Sequence, residues 1–215
     1  MSTDSQPFDR LAVRELVENW SIHRDNRDWD RFLALWHPGG AMMTTWGGKA
    51  APEDFVAAAS DGFARGDRML HAVGGVSVEI EGDRAIAKSK LRIMQRGPVE
   101  GVTCDVTCIG INFDFVERRG QRWGLVLRQP VYERDFLVPV DPTQTVTLDP
   151  EILSRRPDGY QRLAYLQEGL GYTIKPDMPT EVGAQREALE KQGESWLRGE
   201  PLGWPLSSQG TGGEP

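Results

Sequence analysis

Few side chains in this 215-residue sequence can carry acid–base chemistry. There are three histidines and two cysteines, and they do not fall at a compact zinc-binding spacing. The sequence also has no glycine-rich phosphate loop and no GxSxG nucleophile motif. We therefore expect chemistry that uses side chains alone, with no cofactor and no metal. A neutral histidine suits such chemistry because its unperturbed pKa lies near neutral pH.

A histidine base needs a partner that fixes which ring nitrogen carries the proton. A buried carboxylate bonded to the second ring nitrogen does this, and it stabilises the imidazolium ion once that ion forms. Such a pair supports a lyase, in which proton removal expels a leaving group. It equally supports an isomerase or cyclase, in which the proton is returned. A non-catalytic ligand-binding module is the third alternative, because a fold does not dictate a function.

Composition restricts the partners of the chain. The formal net charge is −7, with 39% hydrophobic and 27% charged residues, which is typical of a globular protein. An acidic surface repels phosphates, so we expect a small-molecule substrate and no nucleic acid. The N-terminal segment has no signal-peptide pattern, and no stretch approaches the ~20 apolar residues that span a bilayer. Cys104 and Cys108 would lie about 13 Å apart on a strand, too far for a disulfide, so we expect a cytoplasmic protein with free thiols.

Hydrophobic spacing predicts the elements that must position these side chains. Apolar residues at helical spacing, among them Val13, Val17 and Trp20, predict a helix over about 9–24. After a break at 25–27, a second short helix is predicted to end at Pro38-Gly39-Gly40. A short strand over 42–46 and a third helix from Pro52 follow.

From residue 69 the hydrophobic period changes from 3.6 to 2. Four strands are predicted, over 71–81, 84–95, 102–117 and 123–134, separated by short turns at 82–83, 96–98 and 119–121. Short links favour antiparallel neighbours, so the chain is predicted to be an α+β protein with its helices on one face of the sheet.

Composition changes after the last predicted strand. Prolines punctuate two helical stretches, one around Tyr160–Leu166 and one over about 182–197, before a tail rich in serine, glycine and proline. We therefore predict a domain over 1–140, an extension over 141–204 that packs on the core or on a neighbouring subunit, and a disordered tail over 205–215.

Two segments carry a family resemblance. The order of elements resembles the SnoaL-like, or nuclear-transport-factor-two-like, superfamily. Within it, HRDNRDWDRF at 23–32 and RMLHAVGG at 68–75 resemble the site segments of scytalone dehydratase and hexachlorocyclohexane dehydrochlorinase. The resemblance covers roughly 8–135. It implies a cone-shaped, curved, mixed or antiparallel sheet wrapped around N-terminal helices, an α+β barrel.

The same resemblance implies a function. It implies a cofactor-independent lyase, of dehydratase, dehydrohalogenase or retro-aldol type, acting on a small aromatic or alicyclic molecule. Asp25 and His71 fall on its catalytic pair, and Trp20 and Asn112 on its pocket residues. The relatives are trimers, so we expect a homotrimer in preference to a dimer. Gln95 stands where scytalone dehydratase has a second histidine, so we predict that it contacts the substrate.

Each candidate also has a structural interpretation. Asp25 is a common residue type in turns, and helical geometry does not direct it inward, because it lies five residues, or about 140°, from Trp20. His71 could be a core histidine at the start of a strand. His23 and His37 are predicted to be exposed helix residues.

Two strand positions have alternatives of their own. Asn112 alternates with its neighbours and reaches the pocket only if Gly110 forms a bulge or both faces of the sheet are buried. Arg128 either contacts the substrate or forms an interface ion pair. Trp20, Trp36 and Trp46 either line an aromatic-accepting pocket or pack in the core.

Overall fold

A computed structural model of the chain describes residues 6–203. Its N-terminal part contains the helices α1 (Gln6–Asp25) and α2 (Trp29–Ala34), the strands β1 (Trp36–Thr44) and β2 (Gly48–Ala50), and the helix α3 (Pro52–Arg65). Helix α3 begins on a first-turn proline and ends at Gly66 in the left-handed conformation, both common terminal signals. The three helices predicted from hydrophobic spacing are therefore present.

Four long strands build most of the sheet. They are β3 (Arg68–Glu81), β4 (Arg84–Val99), β5 (Val102–Arg119) and β6 (Arg122–Pro139). The sheet order is β2-β1-β6-β5-β4-β3, and all neighbours are antiparallel except the parallel pair β1–β6. The predicted α+β fold with a mixed, curved sheet is confirmed. The sheet stays unclosed, with β2 and β3 as its edges.

Strand β1 includes residues that were predicted to end a helix. Its register against β6 shifts between Trp36 and Ala41, so the segment around Pro38 bulges out of the ladder. A Cβ atom at Gly40 would lie 3.0 Å from the carbonyl oxygen of His37 and 3.2 Å from that of Leu125, which explains the glycine at this close backbone approach. Strand β2 was not predicted.

The turn predicted at 96–98 was also wrong. Strand β4 continues through these residues to Val99, and the chain reverses at Glu100 and Gly101 instead. Both have positive φ, at 50° and 79°, as the two central residues of a type I′ hairpin require.

Helices cover both faces of the sheet. On the inner face, α1, α2 and α3 bury a cluster that includes Val17, Trp20, Phe32 and Phe55. On the outer face, α6 (Ala184–Leu197) packs Trp196 on Phe115 at a centroid distance of 6.1 Å.

The extension after β6 also contains α4 (Pro150–Leu153), a 3₁₀ turn (Asp158–Tyr160) and α5 (Gln161–Gly169). Tyr160, Leu163 and Leu166 are fully buried and belong to the same core cluster as the sheet. The extension thus packs on the core of its own chain. The tail predicted over 205–215 lies outside the described residues. No helix within residues 6–203 is long and apolar enough to span a membrane.

Candidate active site

Asp25 and His71 are in direct contact. His71 Nδ1 lies 3.0 Å from Asp25 Oδ1, and the backbone N–H of His71 donates to Asp25 Oδ2 at 2.6 Å. Both side chains are largely buried, with 14% of the Asp25 side chain and 7% of the His71 side chain exposed. Because both oxygens of one carboxylate bind the same residue, the orientation of the imidazole ring is fixed.

The edge position of β3 explains why Asp25 turns inward. Asp25 is the last residue of α1, which packs along β3. An edge strand has backbone N–H groups that the sheet leaves unpaired, and a buried N–H needs an acceptor. Asp25 supplies that acceptor for His71. The local turn is completed by Arg27 in the left-handed conformation, with φ of 59°.

Arg24 adds a third contact to this carboxylate. Its Nη1 donates to Asp25 Oδ1 at 3.1 Å and to the carbonyl oxygen of Met69 at 3.1 Å. The guanidinium carbon lies 4.9 Å from the centre of the Phe63 ring, within the range of a cation–π interaction. A single carboxylate oxygen therefore accepts hydrogen bonds from both Arg24 and His71.

The environment keeps the pair in the protonation states that a base requires. Burial lowers the pKa of His71, and although the hydrogen bond to Asp25 raises it, the pKa stays below its ordinary value. Burial raises the pKa of Asp25, but the hydrogen bonds and charge of His71, and the charge of Arg24, bring it below its ordinary value. At neutral pH an ionised Asp25 thus accepts the Nδ1 proton of a neutral His71. The lone pair is then on Nε2, which has no hydrogen-bond partner within residues 6–203.

His71 lines a cavity of about 40 Å³. The cavity lies between the inner face of the sheet and the helices, and the Trp20 ring meets the imidazole edge-on at 5.3 Å. A water molecule needs about 10–15 Å³ of such space, so the cavity has room for about three or four waters. A ring-sized ligand requires wall side chains to move, and the unbranched Met42, Met43 and Met69 in the wall can repack. The other apolar wall residues are Trp46, Phe55, Leu91, Ile93 and Pro130.

Arg128 also lines the cavity, and its ion pair is within the chain. Its Nε and Nη2 donate to the two oxygens of Asp114 at 2.7 and 2.8 Å, and its guanidinium carbon lies 4.7 Å from the centre of the Trp20 ring. The side chains are only 1% and 0% exposed. The interface ion pair considered for Arg128 is therefore wrong. Asp114 was not predicted, although a carboxylate between Phe113 and Phe115 was a visible signal.

Asn112 lies in the cavity wall, as its strand position allows. The residues that alternate with it, including Phe113, are buried on the opposite face by α6, so both faces of β5 are covered here. The register of β5 against β6 also shifts between Ile109 and Gly110. The irregularity at Gly110 and the burial of both faces are the two conditions under which strand alternation lets Asn112 reach the pocket, and both are met.

Gln95 does not line the cavity. It is 1% exposed, and its Oε1 accepts a hydrogen bond from Gln167 Nε2 at 3.0 Å. Gln167 itself lies in the wall and accepts a hydrogen bond from the Thr45 hydroxyl at 2.7 Å. A contact of Gln95 with the substrate is therefore not supported, because the extension places Gln167 there. Sequence reasoning missed Gln167, since nothing local relates α5 to the cavity.

The remaining tryptophan and histidine candidates lie in different parts of the structure, and only two of them line the cavity. Trp20 and Trp46 line the cavity, whereas Trp36 packs in the inner core. His37 is not an exposed helix residue: it is buried in β1, with Nε2 2.9 Å from the carbonyl oxygen of Glu117. His23 is in a helix but half-buried. Within the described part of the chain, no cluster of histidine, cysteine and acidic side chains is arranged to hold a metal.

Comparisons with known proteins agree with this architecture. The model of the SnoaL-like domain family matches residues 8–129. Pea pathogenicity protein 2 of Fusarium vanettenii is 36% identical over 212 residues, covering 93% of this chain and 90% of the relative. A hexachlorocyclohexane dehydrochlorinase (LinA type 2) covers 70% of this chain and all of its own, with a TM-score of 0.56 at 17% identity. A scytalone dehydratase-like protein from Novosphingobium aromaticivorans covers 68% of this chain and all of its own, with a TM-score of 0.52 at 15% identity. At these identities the two structures share the fold with this chain.

Proposed function

The chain belongs to the SnoaL-like family, and from that premise we propose that it is a cofactor-independent lyase acting on a small aromatic or alicyclic molecule. His71 is the proposed base and Asp25 the residue that orients it. One observation carries the proposal: Asp25 lies within hydrogen-bond distance of Nδ1 of a buried imidazole whose ring lines a cavity. Structural relatives that include a dehydrochlorinase and a dehydratase-like protein support the reaction class.

The proposed reaction is an elimination. His71 Nε2 takes a proton from a substrate carbon, the electron pair of that C–H bond forms the new double bond, and the leaving group departs with its own bonding pair. The imidazolium ion that forms is stabilised by Asp25. Trp20, Asn112 and Arg128 are the proposed substrate contacts. General acid–base catalysis of this kind contributes about 10²–10⁴-fold, and positioning in the cavity supplies the rest.

An isomerase or cyclase is the second candidate, because the same base can return the proton to another carbon. A non-catalytic small-ligand-binding module is the third. The buried Asp25–His71 pair favours the enzymes over the module, since perturbed titratable groups in a cavity mark functional sites.

The test is incubation in D₂O with cyclic ketones that carry a hydroxyl or halogen leaving group, followed by mass spectrometry. A lyase gives a product lighter by water or hydrogen halide, whereas an isomerase gives deuterium incorporation without loss of a fragment. His71→Gln should abolish either reaction. The matched control is His37→Gln, which alters a second buried histidine outside the cavity. Equal turnover by these two variants would refute His71 as the base, and binding without turnover or exchange would favour the module.

A further inference from the structure

Apart from Nε2 of His71, the polar atoms of the cavity wall that lack a partner within residues 6–203 are hydrogen-bond donors. Four wall residues have a buried donor with no partner within residues 6–203: Trp20 Nε1, Arg24 Nε, Asn112 Nδ2 and Arg128 Nη1. Other polar wall groups are already bonded, since the Thr44 hydroxyl accepts from Gly47 N–H and Thr45 donates to Gln167. A buried donor without an acceptor is costly. The wall therefore lacks acceptors that an occupant of the cavity can supply.

The charged side chains that line the cavity also favour an occupant that accepts hydrogen bonds. Two guanidinium groups, of Arg24 and Arg128, line it, and no aspartate or glutamate of the described residues does. The carboxylates that balance them, Asp25 and Asp114, lie behind the wall. This arrangement holds both cations in place while Nε of Arg24 and Nη1 of Arg128 stay unpaired.

Sheet geometry brings two of these donors together. Asp114 pairs with Arg128 and Asn112 pairs with Pro130 in the β5–β6 ladder, so Asn112 and Arg128 are diagonal neighbours on the inner face. Side chains in this relation are within reach of one another. Trp20 packs on the Arg128 guanidinium, which places an aromatic surface beside them.

We infer that the ligand of this cavity is an apolar ring that carries an oxyanion, a carboxylate or an ionised phenol, bound by Asn112 and Arg128. An ionised carboxylate accepts hydrogen bonds and donates none, which suits the free Nδ2 of Asn112 and the free Nη1 of Arg128. Hydrogen bonds to an ionised acceptor are also about twice as strong as neutral ones. The ring would lie against Trp20 and the methionines. This inference rests on the proposed function for its substrate class, but it concerns binding and not turnover.

The test is calorimetric titration of the full chain with benzoate and with benzamide, which has the same shape but is neutral. We expect benzoate to bind at least tenfold more tightly, as one charge-assisted hydrogen bond implies. 4-Nitrophenolate, followed by its absorbance, distinguishes a phenolate from a carboxylate ligand. Binding of either anion in preference to benzamide supports the inference. Equal or tighter binding of benzamide, or no binding of either anion, would overturn it.

Variants locate the binding. Asn112→Leu should weaken the preferred anion about tenfold or more, and Asn112→Asp should abolish its binding by repulsion. The matched control is Gln129→Leu, which replaces a second buried amide on the opposite face of the sheet and should leave affinity unchanged. Arg128→Met alone would leave Asp114 buried and unpaired, so it is combined with Asp114→Asn. Retained anion affinity in this double variant and in Asn112→Leu would place the anion elsewhere and overturn the assignment. Because benzoate is not turned over, these results do not depend on whether His71→Gln loses activity.

Discussion

Replacing Asp25 by asparagine tests the centre of the site, because it keeps the shape of the side chain and removes its charge. Asp25 accepts three hydrogen bonds, from His71 N, His71 Nδ1 and Arg24 Nη1. An asparagine has one acceptor oxygen and places an NH₂ group where the second oxygen was, so at least one donor loses its acceptor. Losing such charge-assisted bonds at a buried pair should lower the free energy of unfolding by about 2–4 kcal/mol.

The same substitution should change the titration of His71 in a defined direction. Asp25 raises the pKa of His71 against the effect of burial and of Arg24, so its removal should lower that pKa further. The base is active when deprotonated, so the acidic limb of the activity profile should move to lower pH. Turnover should nevertheless fall about 10²–10⁴-fold, because nothing then fixes the tautomer or stabilises the imidazolium ion.

Imidazole ¹H–¹⁵N spectra over a pH series measure the pKa and tautomer directly, because the chain has only three histidines. Urea unfolding gives the stability. The control is Asp135→Asn, which removes another buried carboxylate that accepts from two backbone N–H groups and one arginine. It should be destabilising to a similar extent and leave His71 unchanged. An unchanged or raised pKa of His71 in Asp25→Asn would refute the interpretation of the pair.

Two further predictions concern stability. Gly110→Ala should lower the free energy of unfolding by at least ~2 kcal/mol, because the added Cβ would lie 2.0 Å from the carbonyl oxygen of Val131; a urea midpoint equal to that of the unchanged chain would contradict this backbone approach. Gln167→Leu should lower the free energy of unfolding by about 2–4 kcal/mol, because the Thr45 hydroxyl and the Gln95 amide oxygen lose their hydrogen bonds to Gln167. The control is Gln192→Leu, which replaces a half-buried amide of α6. Equal stability of these two variants in urea would argue against a stabilising role of the Thr45–Gln167–Gln95 hydrogen bonds.

Hydrophobic periodicity was sufficient to predict the helices and strands whose buried face follows from their own sequence. The helices and the four-stranded meander follow from spacings of 3.6 and 2, which reflect which face of each element is buried. The errors came from long-range packing. Strand β1 joins the sheet by parallel pairing of Trp36, Ala41 and Met42 with a strand more than eighty residues away. Gly97 is not a turn residue: a Cβ atom at this position would lie 2.8 Å from the side chain of Leu166, which packs closely against it.

The site divides in a similar way. Asp25 and His71 were identified by resemblance, and their hydrogen bonds depend on β3 being the edge strand, which spacing alone does not reveal. Asp114 was missed because its role requires the β5–β6 register that sets it opposite Arg128. Gln167 was missed because α5 reaches the cavity only through tertiary packing.

Asp135 joins the sheet to helix α5, and both lie beyond the segment that the family model matches. The matched segment ends at residue 129, inside β6, whereas Asp135, six residues further along the same strand, accepts hydrogen bonds from the first amides of α5. A chain shortened to the sheet would expose Phe113 and Phe115 to water and leave this carboxylate without those donors. We therefore expect a chain that ends after β6 to keep this sheet in water only if the apolar residues on its outer face are replaced by polar ones.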